Sequence, residues 1–251
     1  MARQRAATCA VWRADVATRP AGDWVDLGGL HLHTTGLSPV HWNGAHLTEA
    51  AGLSQLATAG QWFRDRGVPW AVLVPAELGL EPAGFGYVGS QPVMVLDLTG
   101  LSAPPDPPRA PVTLRWDAPV DEVAGIQSAA FDDAVGLATA FVGPKLVNGA
   151  CEVVVAYVDG RPVASATGVL TGGRAGGADG PGDDVVAVFG VGTLVGHRRQ
   201  GLGTAVTRAV LLRARERGAD LAYLNPSDLG YAAYHALGFR DAPPWQIWSP
   251  P

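Results

Sequence analysis

The sequence has few cysteines, few charged residues and no long apolar run. Its two cysteines, Cys9 and Cys151, lie far apart and outside any metal-type spacing, which favours two reduced, buried thiols over a disulfide. Only 16% of the residues are charged and the net charge is −5, which argues against a nucleic-acid-binding surface. No apolar stretch reaches membrane-spanning length, and the basic start lacks the apolar segment of a secretory signal. We therefore expect a cytoplasmic protein that does not contact a membrane.

The chain has enough apolar residues for a large core, and its length of 251 residues fits one large domain or two ordinary ones. Five prolines fall within residues 102–111, which predicts a semi-rigid linker. We place this linker at residues 104–111, between an N-terminal domain of residues 1–103 and a C-terminal domain of residues 112–251. A glycine-rich stretch at residues 171–184 predicts a surface loop inside the second domain.

The C-terminal domain alternates strand-like and helix-like segments. Two β-branched runs are separated by Asp159-Gly160, which favours a hairpin. Residues 185–195 predict an apolar strand, and the glycines inside it indicate a bulge or the close approach of another group. A helical apolar stripe then runs from Leu202 until Gly218 ends it. The fold class is therefore α+β, with an α/β-type mixed sheet.

The junction between this strand and this helix carries the residues best suited to bind a ligand. They are Arg198, Arg199, Gln200, Gly201, Leu202, Gly203 and Thr204. The two glycines allow the backbone to approach a ligand, and the free N–H groups of the first helical turn favour an anion. The pattern predicts a pyrophosphate-binding loop without the Walker lysine or the first glycine turn of a dinucleotide site. A plain glycine-containing helix start is an equally good interpretation of this motif alone.

In its context the motif resembles that of GNAT-superfamily N-acetyltransferases. The resemblance covers residues 112–251 and rests on the glycine-interrupted strand, the Arg198–Gly203 motif, a following strand that ends in Asn225, and the segment Tyr234–Phe239. It implies a GNAT acyl-CoA N-acyltransferase fold in this domain, with acetyl-CoA as co-substrate. It also implies that the loop binds the pyrophosphate of acetyl-CoA.

The resemblance assigns roles to further residues. Val191, Gly192 and Thr193 would lend backbone groups to the pantetheine arm, which lies between two splayed strands. Asn225 would contact the cofactor, and Tyr234 would protonate the leaving thiolate. Without the family resemblance, the alternative interpretation is that Tyr234 is an ordinary core tyrosine and Asn225 is a turn residue before a proline.

One feature of many such enzymes is absent here. They carry a glutamate on the strand before the loop as the base for the acceptor amine, but residues 185–195 contain no acidic residue. An alkyl amine with a pKa of about 10 is mostly protonated at pH 7, so its proton needs a route. The nearby candidates are Asp132, Asp133, Glu152, Asp228 and His235. A water chain and a less basic acceptor are alternatives, and the base stays unassigned.

The first half of the chain repeats part of the second. Residues 64–79 match residues 215–230 without a gap, with eight of sixteen positions identical, and a Gly-Phe pair follows each copy. We interpret the first half as a degenerate, partial GNAT-like unit that arose by duplication. Val74 corresponds to Asn225 in the gapless alignment of the two copies, and Leu80 corresponds to Tyr234 when both are counted back from the Gly-Phe pairs. The stretch His31–Leu47 takes the place of the strand and phosphate loop but lacks their glycine motif. Only the second copy is predicted to bind CoA.

Four histidines lie in or beside that upstream stretch: His31, His33, His41 and His46. His31 and His33 share one side of a strand, so a metal site is conceivable. No cysteine or carboxylate joins the four at a recognised spacing, and we predict no metal. Walls of an acceptor pocket or an interface are the favoured interpretation. The tryptophans Trp24, Trp42, Trp62 and Trp70 are predicted to anchor a core or a domain interface.

The sequence therefore predicts an N-acetyltransferase that transfers an acetyl group from acetyl-CoA to a primary amine of a small molecule or peptide. The amine would attack the thioester directly, with a backbone N–H polarising the carbonyl and Tyr234 protonating the sulfur. Alternatives are a CoA-binding sensor without turnover, and a transferase that uses charged tRNA or another acyl carrier. The sequence does not specify the acceptor or the length of the acyl chain, and a homodimer is compatible with it.

Overall fold

The computed structural model describes residues 2–101, 108, 111–149, 151–171 and 185–251. The chain forms two compact units: unit 1 is Met1–Val93 with Asp241–Pro251, and unit 2 is Met94–Arg240. Most of the predicted linker and nearly all of the glycine-rich loop lie outside the described residues, so the domain limits drawn from the sequence stay a prediction. In the described ranges, no helix is both long and apolar enough to cross a membrane.

The described residues contain six α-helices and eleven strands. The helices are α1 (Ala2–Val16), α2 (Leu56–Arg66), α3 (Val120–Phe131), α4 (Val135–Val147), α5 (Leu202–Glu216) and α6 (Tyr231–Ala236). The strands are β1 (Asp23–Asp26), β2 (Leu30–Thr34), β3 (Asn43–Leu47), β4 (Ala71–Pro75), β5 (Gly86–Asp97), β6 (Thr113–Arg115), β7 (Glu152–Val158), β8 (Arg161–Thr171), β9 (Val185–Thr193), β10 (Leu221–Leu224) and β11 (Arg240–Ser249).

Unit 1 is a mixed sheet between two helices. Strands β1, β2 and β3 pair antiparallel, β3 pairs parallel with β4, and the last strand of the chain, β11, pairs antiparallel with β4. Ala59 and Phe63 of α2 pack in one buried cluster with Val72 and Val74 of β4. On the opposite face of β2, Trp12 of α1 stacks on a histidine ring. The alternation of side chains along β2 therefore separates an aliphatic face from an aromatic one.

The strands of unit 2 are also paired in a mixed parallel and antiparallel arrangement. Strands β6, β7, β8 and β9 pair antiparallel, β9 pairs parallel with β10, and β10 pairs antiparallel with Met94–Asp97 at the end of β5. Helix α5 supplies an apolar stripe to the main core cluster, and its buried members are Leu202, Val206, Val210, Leu211 and Ala214. Helix α3 lies against β8 and β9. This is the α+β mixed sheet predicted from the sequence.

Residues that the gapless repeat aligns do not lie on the same face of β4 and β10. In unit 1, Val72 and Val74 join the cluster that α2 covers, and in unit 2 Ala222 and Leu224 join the cluster that α5 covers. The sequence alignment pairs Ala222 with Ala71 instead. A shift by one residue moves a strand's side chains to its other face, so the two strands differ in register relative to their helices. Val74 is therefore a packing residue of unit 1, on the same kind of face as Leu224.

Candidate functional site

The pairing between strands β9 and β10 of unit 2 ends partway along β9. Their parallel ladder pairs Leu221–Leu224 with Val185–Val188 and ends there. Strand β9 continues to Thr193, paired with β8 alone. Asn225 follows directly after the end of β10. Beyond this point the second half of β9 and the residues that follow β10 are not paired with each other in the described ladders.

A bulge interrupts β9 beside this point. The register between β8 and β9 shifts between Ser165 and Thr167, and Gly190 adopts a φ of 55°, in the left-handed region that glycine tolerates best. Val191 packs against the cluster that α5 covers, whereas Gly192 is buried against α3. Val191 and Gly192 therefore lie on opposite faces of the strand. The glycines predicted to interrupt this strand do lie at a bulge.

The loop before α5 has the shape expected of an anion-binding site. Arg199 has a φ of 59° and Gly201 a φ of 81°, so two left-handed residues turn the backbone sharply before α5 begins at Leu202. Ala205 is the first residue whose N–H donates back to the loop, to the carbonyl of Gly201 at 2.9 Å. The first turn of α5 contains no acidic residue. The N–H groups of Leu202, Gly203 and Thr204 consequently face the helix entrance with the positive end of the dipole behind them.

Arg198 holds this loop in place through two backbone carbonyls. Its Nε donates to the carbonyl of Thr193 at 3.1 Å, and its Nη2 donates to the carbonyl of Ala130 at 3.3 Å. The same side chain therefore ties the end of β9 to the end of α3. Gln200 donates within the loop, from Nε2 to the carbonyl of Gly196 at 3.4 Å. These contacts fix the path of the backbone between β9 and α5.

Gly203 lies beside the end of β9. A β-carbon added to Gly203 would stand 3.5 Å from the Thr193 hydroxyl oxygen, which is ordinary contact distance. An alanine would fit there, but a branched side chain would extend into the space in front of the helix. The motif's second glycine thus keeps open the region that its free N–H groups face.

Tyr234 lies on α6 and packs on Phe239, with ring centroids 5.9 Å apart. Burial raises the pKa of its phenol to about 12, so the hydroxyl is protonated at neutral pH. The hydroxyl makes no hydrogen bond within the described part of the chain. Tyr234 also belongs to the residues that pack against the main core cluster of unit 2. It therefore offers a proton donor on a partly buried, fixed ring.

The candidate bases are scattered, and one of them is wrong. Glu152 accepts ion pairs from Arg213 at 3.0 Å and from Arg217 at 2.7 Å, in and just after the last turn of α5. A helix of this length puts that turn about 20 Å from the loop at its start, which removes Glu152 from the site. Asp228 and His235 are exposed beside α6. Asp132 ends α3 in a left-handed conformation.

The matching place in unit 1 is built differently. The stretch His31–Leu47, expected to replace a strand and a phosphate loop, contains the strands β2 and β3, and the connection to α2 follows it. That connection is a 3₁₀ turn, Ala50–Gln55, which leads straight into α2. The N–H of Leu56 already donates to the carbonyl of Leu53. No turn with left-handed residues precedes α2 in these described residues.

Two of the four histidines are buried in unit 1. His33 and His46 are each 1% exposed, their ring centroids are 5.0 Å apart, and His46 lies edge-on to Trp245. The nitrogens of the His46 ring have no hydrogen-bond partner among the described residues. Burial lowers the pKa of His46 to about 3 and that of His33 well below its usual value. No set of three or more His, Cys, Asp or Glu side chains in the described ranges is placed to hold a metal ion.

A family model matches almost the whole chain. The model described as "Probable histone acetyltransferase Rv0428c C-terminal" matches residues 13–243. The chain belongs to this family. Among curated protein sequences, none matches the chain significantly.

Solved structures identify the fold. A GCN5-related N-acetyltransferase from Kribbella flavida is 23% identical and covers 98% of this chain and 95% of its own, with a TM-score of 0.72. A tandem GNAT protein from the clavulanic acid biosynthesis pathway is 16% identical, covers 98% and 93%, and has a TM-score of 0.62. A GCN5-related N-acetyltransferase from Sphaerobacter thermophilus is 17% identical, covers 89% and 81%, and has a TM-score of 0.55. The chain has the GNAT fold, and the resemblance drawn from its motifs is confirmed.

Proposed function

We propose that unit 2 binds acetyl-CoA and transfers its acetyl group to a primary amine of a small molecule or peptide. One observation carries this proposal: the parallel ladder of β9 and β10 ends beside a helix start whose N–H groups are free. A long, thin ligand with a diphosphate in its middle would fit such a place. Its phosphates would face α5 and its arm would enter between the strands.

The residues of the site suit acetyl-CoA in charge and in space. The N–H groups of Leu202, Gly203 and Thr204 would donate to the pyrophosphate, and no carboxylate in the first turn of α5 would repel it. Arg199 and Gln200 lie in the same loop. Val191, Gly192 and Thr193 would offer backbone groups to the pantetheine arm, and Asn225, which follows β10, would contact the cofactor. We assign Arg198 to holding the loop, because both of its described contacts are backbone carbonyls.

When it is bound, acetyl-CoA supplies a thioester carbonyl that an amine can attack. Backbone N–H groups at the β9 bulge are suited to stabilise negative charge on the carbonyl oxygen. Tyr234 would donate its proton to the departing sulfur, because its raised pKa keeps it protonated at pH 7. Strand β9 has no acidic residue to accept a proton from the amine.

The family's description names a histone acetyltransferase, which makes protein amines one class of acceptor to test. The test combines calorimetry of acetyl-CoA binding with thiol release in the presence of pooled small amines and of peptides. We expect saturable binding and amine-dependent release of CoA. Absence of acetyl-CoA binding by the folded protein would remove the proposal.

A second candidate is a CoA-binding module without turnover, which the lack of an acidic residue on β9 favours. Binding of acetyl-CoA without transfer to any amine of a broad panel would support it. The retained tyrosine on α6 speaks for the enzyme, since a sensor has no use for a proton donor next to the sulfur.

We also propose that unit 1 is a degenerate copy of the same unit, and that the protein resides in the cytoplasm. Unit 1 repeats a parallel strand pair with a connecting helix, but the helix begins after a 3₁₀ turn. Cys9 and Cys151 are buried and form no disulfide among the described residues, which suits a reducing compartment.

A further inference from the structure

The bulge of β9 is covered by one polar side chain, Gln127 of α3. A β-carbon added to Gly190 would stand 2.4 Å from Gln127 Nε2 and 3.3 Å from Oε1. Only glycine at position 190 leaves room for this amide. Gln127 therefore occupies the place next to the strand where the side chain of residue 190 would otherwise be.

Most of the Gln127 side chain is buried, but its amide atoms are not fully enclosed. The residue is 8% exposed, and within the described part of the chain its side chain makes no hydrogen bond. The amide atoms are not among the fully buried polar atoms that lack a partner, so they stay open to hydrogen bonding by a ligand beside the bulge. A side-chain amide carries both an acceptor oxygen and two donor hydrogens, and which end faces the ligand is free to follow the ligand.

The surroundings of Gln127 contain polar groups but no available acid or base. On α3 itself, the acidic residues Asp121 and Glu122 are in the first turn, where Glu122 accepts the hydroxyl of Tyr157. From β8, Ser165 donates toward the Gly190 carbonyl at 3.4 Å, and β9 carries no charge. From β10, Tyr223 faces Phe189 across 6.3 Å between ring centroids.

Farther out lie the carboxylates that follow α3, Asp132 and Asp133, and three basic side chains. The only charged side chain of β8 is Arg161, at its first residue, and Lys145 of α4 covers the ring of Phe141. Arg198 is held by the backbone, and Asp132 follows the end of α3. An amide, unlike a carboxylate, cannot take up a proton at neutral pH. The group closest to the bulge can therefore orient an amine but cannot deprotonate it.

We propose that Gln127 positions the acceptor amine at the β9 bulge, and that the enzyme acts on weakly basic amines such as peptide α-amino groups in preference to lysine side chains. This inference rests on the proposed function of unit 2. The amide oxygen accepts a hydrogen bond from the neutral amine, which directs the nitrogen lone pair at the thioester carbonyl.

The reaction balances without a protein base. The nitrogen lone pair forms the new C–N bond, and the C–S bond breaks with its electron pair on sulfur. Tyr234 gives its proton to that sulfur. The extra proton on nitrogen leaves to water, and Tyr234 regains a proton from water. The amine therefore has to arrive neutral.

The consequence is a selectivity set by the acceptor's own pKa. An α-amino group has a pKa of about 8 and a lysine ε-amino group about 10.4, so their neutral fractions at pH 7 differ on the order of a hundredfold or more. We expect kcat/KM for an α-amine peptide to exceed that for a blocked lysine peptide by about that factor. For the lysine peptide, kcat/KM rises about tenfold per pH unit between pH 7 and pH 9.

The test replaces Gln127 by leucine and by glutamate in the full chain. Gln127→Leu keeps the size and removes the hydrogen bond, and we expect kcat/KM for the α-amine peptide to fall about tenfold. We expect KM for the acceptor to rise and kcat to fall. The KM for acetyl-CoA and the slow rate of acetyl-CoA hydrolysis without an acceptor should stay unchanged. Gln127→Glu places a base at the bulge, and we expect the lysine peptide's pH profile to begin its rise at lower pH. Gln61→Leu, which removes an exposed amide from α2 of unit 1, serves as the matched control.

The outcomes separate this inference from the proposed function. Equal rates for α-amine and lysine peptides at pH 7, or wild-type kinetics in Gln127→Leu, would overturn the role of Gln127 while acetyl-CoA binding stands. If Gln127→Leu slows acceptor-free hydrolysis and both peptides alike, the side chain only supports the bulge, and the inference fails. Loss of acetyl-CoA binding in the wild-type protein would instead refute the proposed function itself.

Discussion

The starts of α2 and α5 are built differently, although the two helices take the same place between parallel strands. Each helix links a strand to the next one in a parallel pair, β3 to β4 in unit 1 and β9 to β10 in unit 2. Before α5, two left-handed residues turn the chain and leave the first N–H groups open. Before α2, a 3₁₀ turn runs into the helix and uses the N–H of Leu56. The packing of a helix on its sheet is therefore independent of the turn that equips its end to bind an anion.

The strand faces that point away from α2 and α5 differ between the two units as well. Beside the bulge of β9, unit 2 places glycines and a single amide. At the corresponding face of β2 and β3, unit 1 fills the space with rings, namely His33, His46, Trp12 and Trp245. A strand that is to border a cleft keeps small residues there, whereas one that serves packing is filled by aromatic side chains.

The largest expected effect is the loss of acetyl-CoA binding in Gly203→Leu. The branched side chain would extend in front of the first turn of α5, and losing three charge-assisted hydrogen bonds weakens binding by about a thousandfold. Calorimetry is the measurement, and wild-type protein should bind one acetyl-CoA per chain. The matched control is Ala57→Leu, at the second residue of α2, which should leave affinity unchanged. Two bound molecules per chain, or unchanged affinity in folded Gly203→Leu, would contradict the contrast between the helix starts.

The next largest effect is on turnover, in Tyr234→Phe. The phenylalanine keeps the ring's packing and removes only the proton donor, so kcat should fall roughly a hundredfold. The affinity for acetyl-CoA should change by less than about fivefold, because the hydroxyl acts only as charge develops on sulfur. Steady-state kinetics and calorimetry together measure this. Tyr231→Phe on the same helix is the control, and equal kcat in wild type and Tyr234→Phe would remove the tyrosine from the mechanism.

Acid should destabilise unit 1 in particular. His46 has a folded-state pKa of about 3 and an unfolded value of about 6.5, so between these limits the unfolded chain binds the extra proton. Stability is therefore retained above pH 6.5 and is lost as the pH falls toward 3, by about 2 kcal/mol at pH 5 for this residue. Denaturant unfolding followed by tryptophan fluorescence at pH 7 and pH 5 measures it.

A pair of variants sharpens that comparison. His46→Leu should reduce the difference in stability between pH 7 and pH 5, because it removes one of the buried groups that titrate. His235→Leu removes an exposed histidine from unit 2 and should leave the difference as it is. An equal pH dependence in the wild type and in His46→Leu would show that the buried ring does not cause it.

The smallest effect is expected for Arg198→Lys. Lysine keeps the charge but cannot donate to two carbonyls in the fixed geometry of a guanidinium. The loop would lose part of its support, and affinity for acetyl-CoA should fall about fivefold, or roughly 1 kcal/mol. The salt dependence of binding should stay the same, because the charge is retained. A hundredfold loss in this variant would indicate direct contact with phosphate and revise the role assigned to Arg198.

Local patterns were enough to predict the site's frame. The stripe from Leu202 to Ala214 and the glycines around it follow from helical spacing and backbone freedom, which depend on neighbours in sequence. Gln127 could not be predicted, because its importance depends on which helix covers Gly190, and that is a matter of tertiary packing. The offset between Val72 and Ala222 was hidden for a related reason, since sequence identity does not report the face of a strand.

Helix α1 was missed because its buried side mixes polar residues with small apolar ones. Gln4, Thr8 and Val11 follow a helical spacing, but two of these three residues are polar. A search for apolar periodicity passes over such a stripe. The buried pair Arg19 and Asp15, with 3.0 Å between Nη2 and Oδ1, lies at the end of this helix and likewise carries no hydrophobic signal.

Unit 1 is built from two segments that are far apart in the chain, and this has a consequence for folding during synthesis. Unit 1 takes its strand β11 from the last residues of the chain, about 150 residues after its previous segment. At ordinary ribosomal speeds of about 5–20 residues per second, roughly 10–30 s pass before that strand leaves the ribosome. During this interval β4 exposes an edge that is ready to pair with any extended chain. The nascent protein would thus depend on chaperones or on rapid completion, and its N-terminal unit, although made first, would be the last to finish folding.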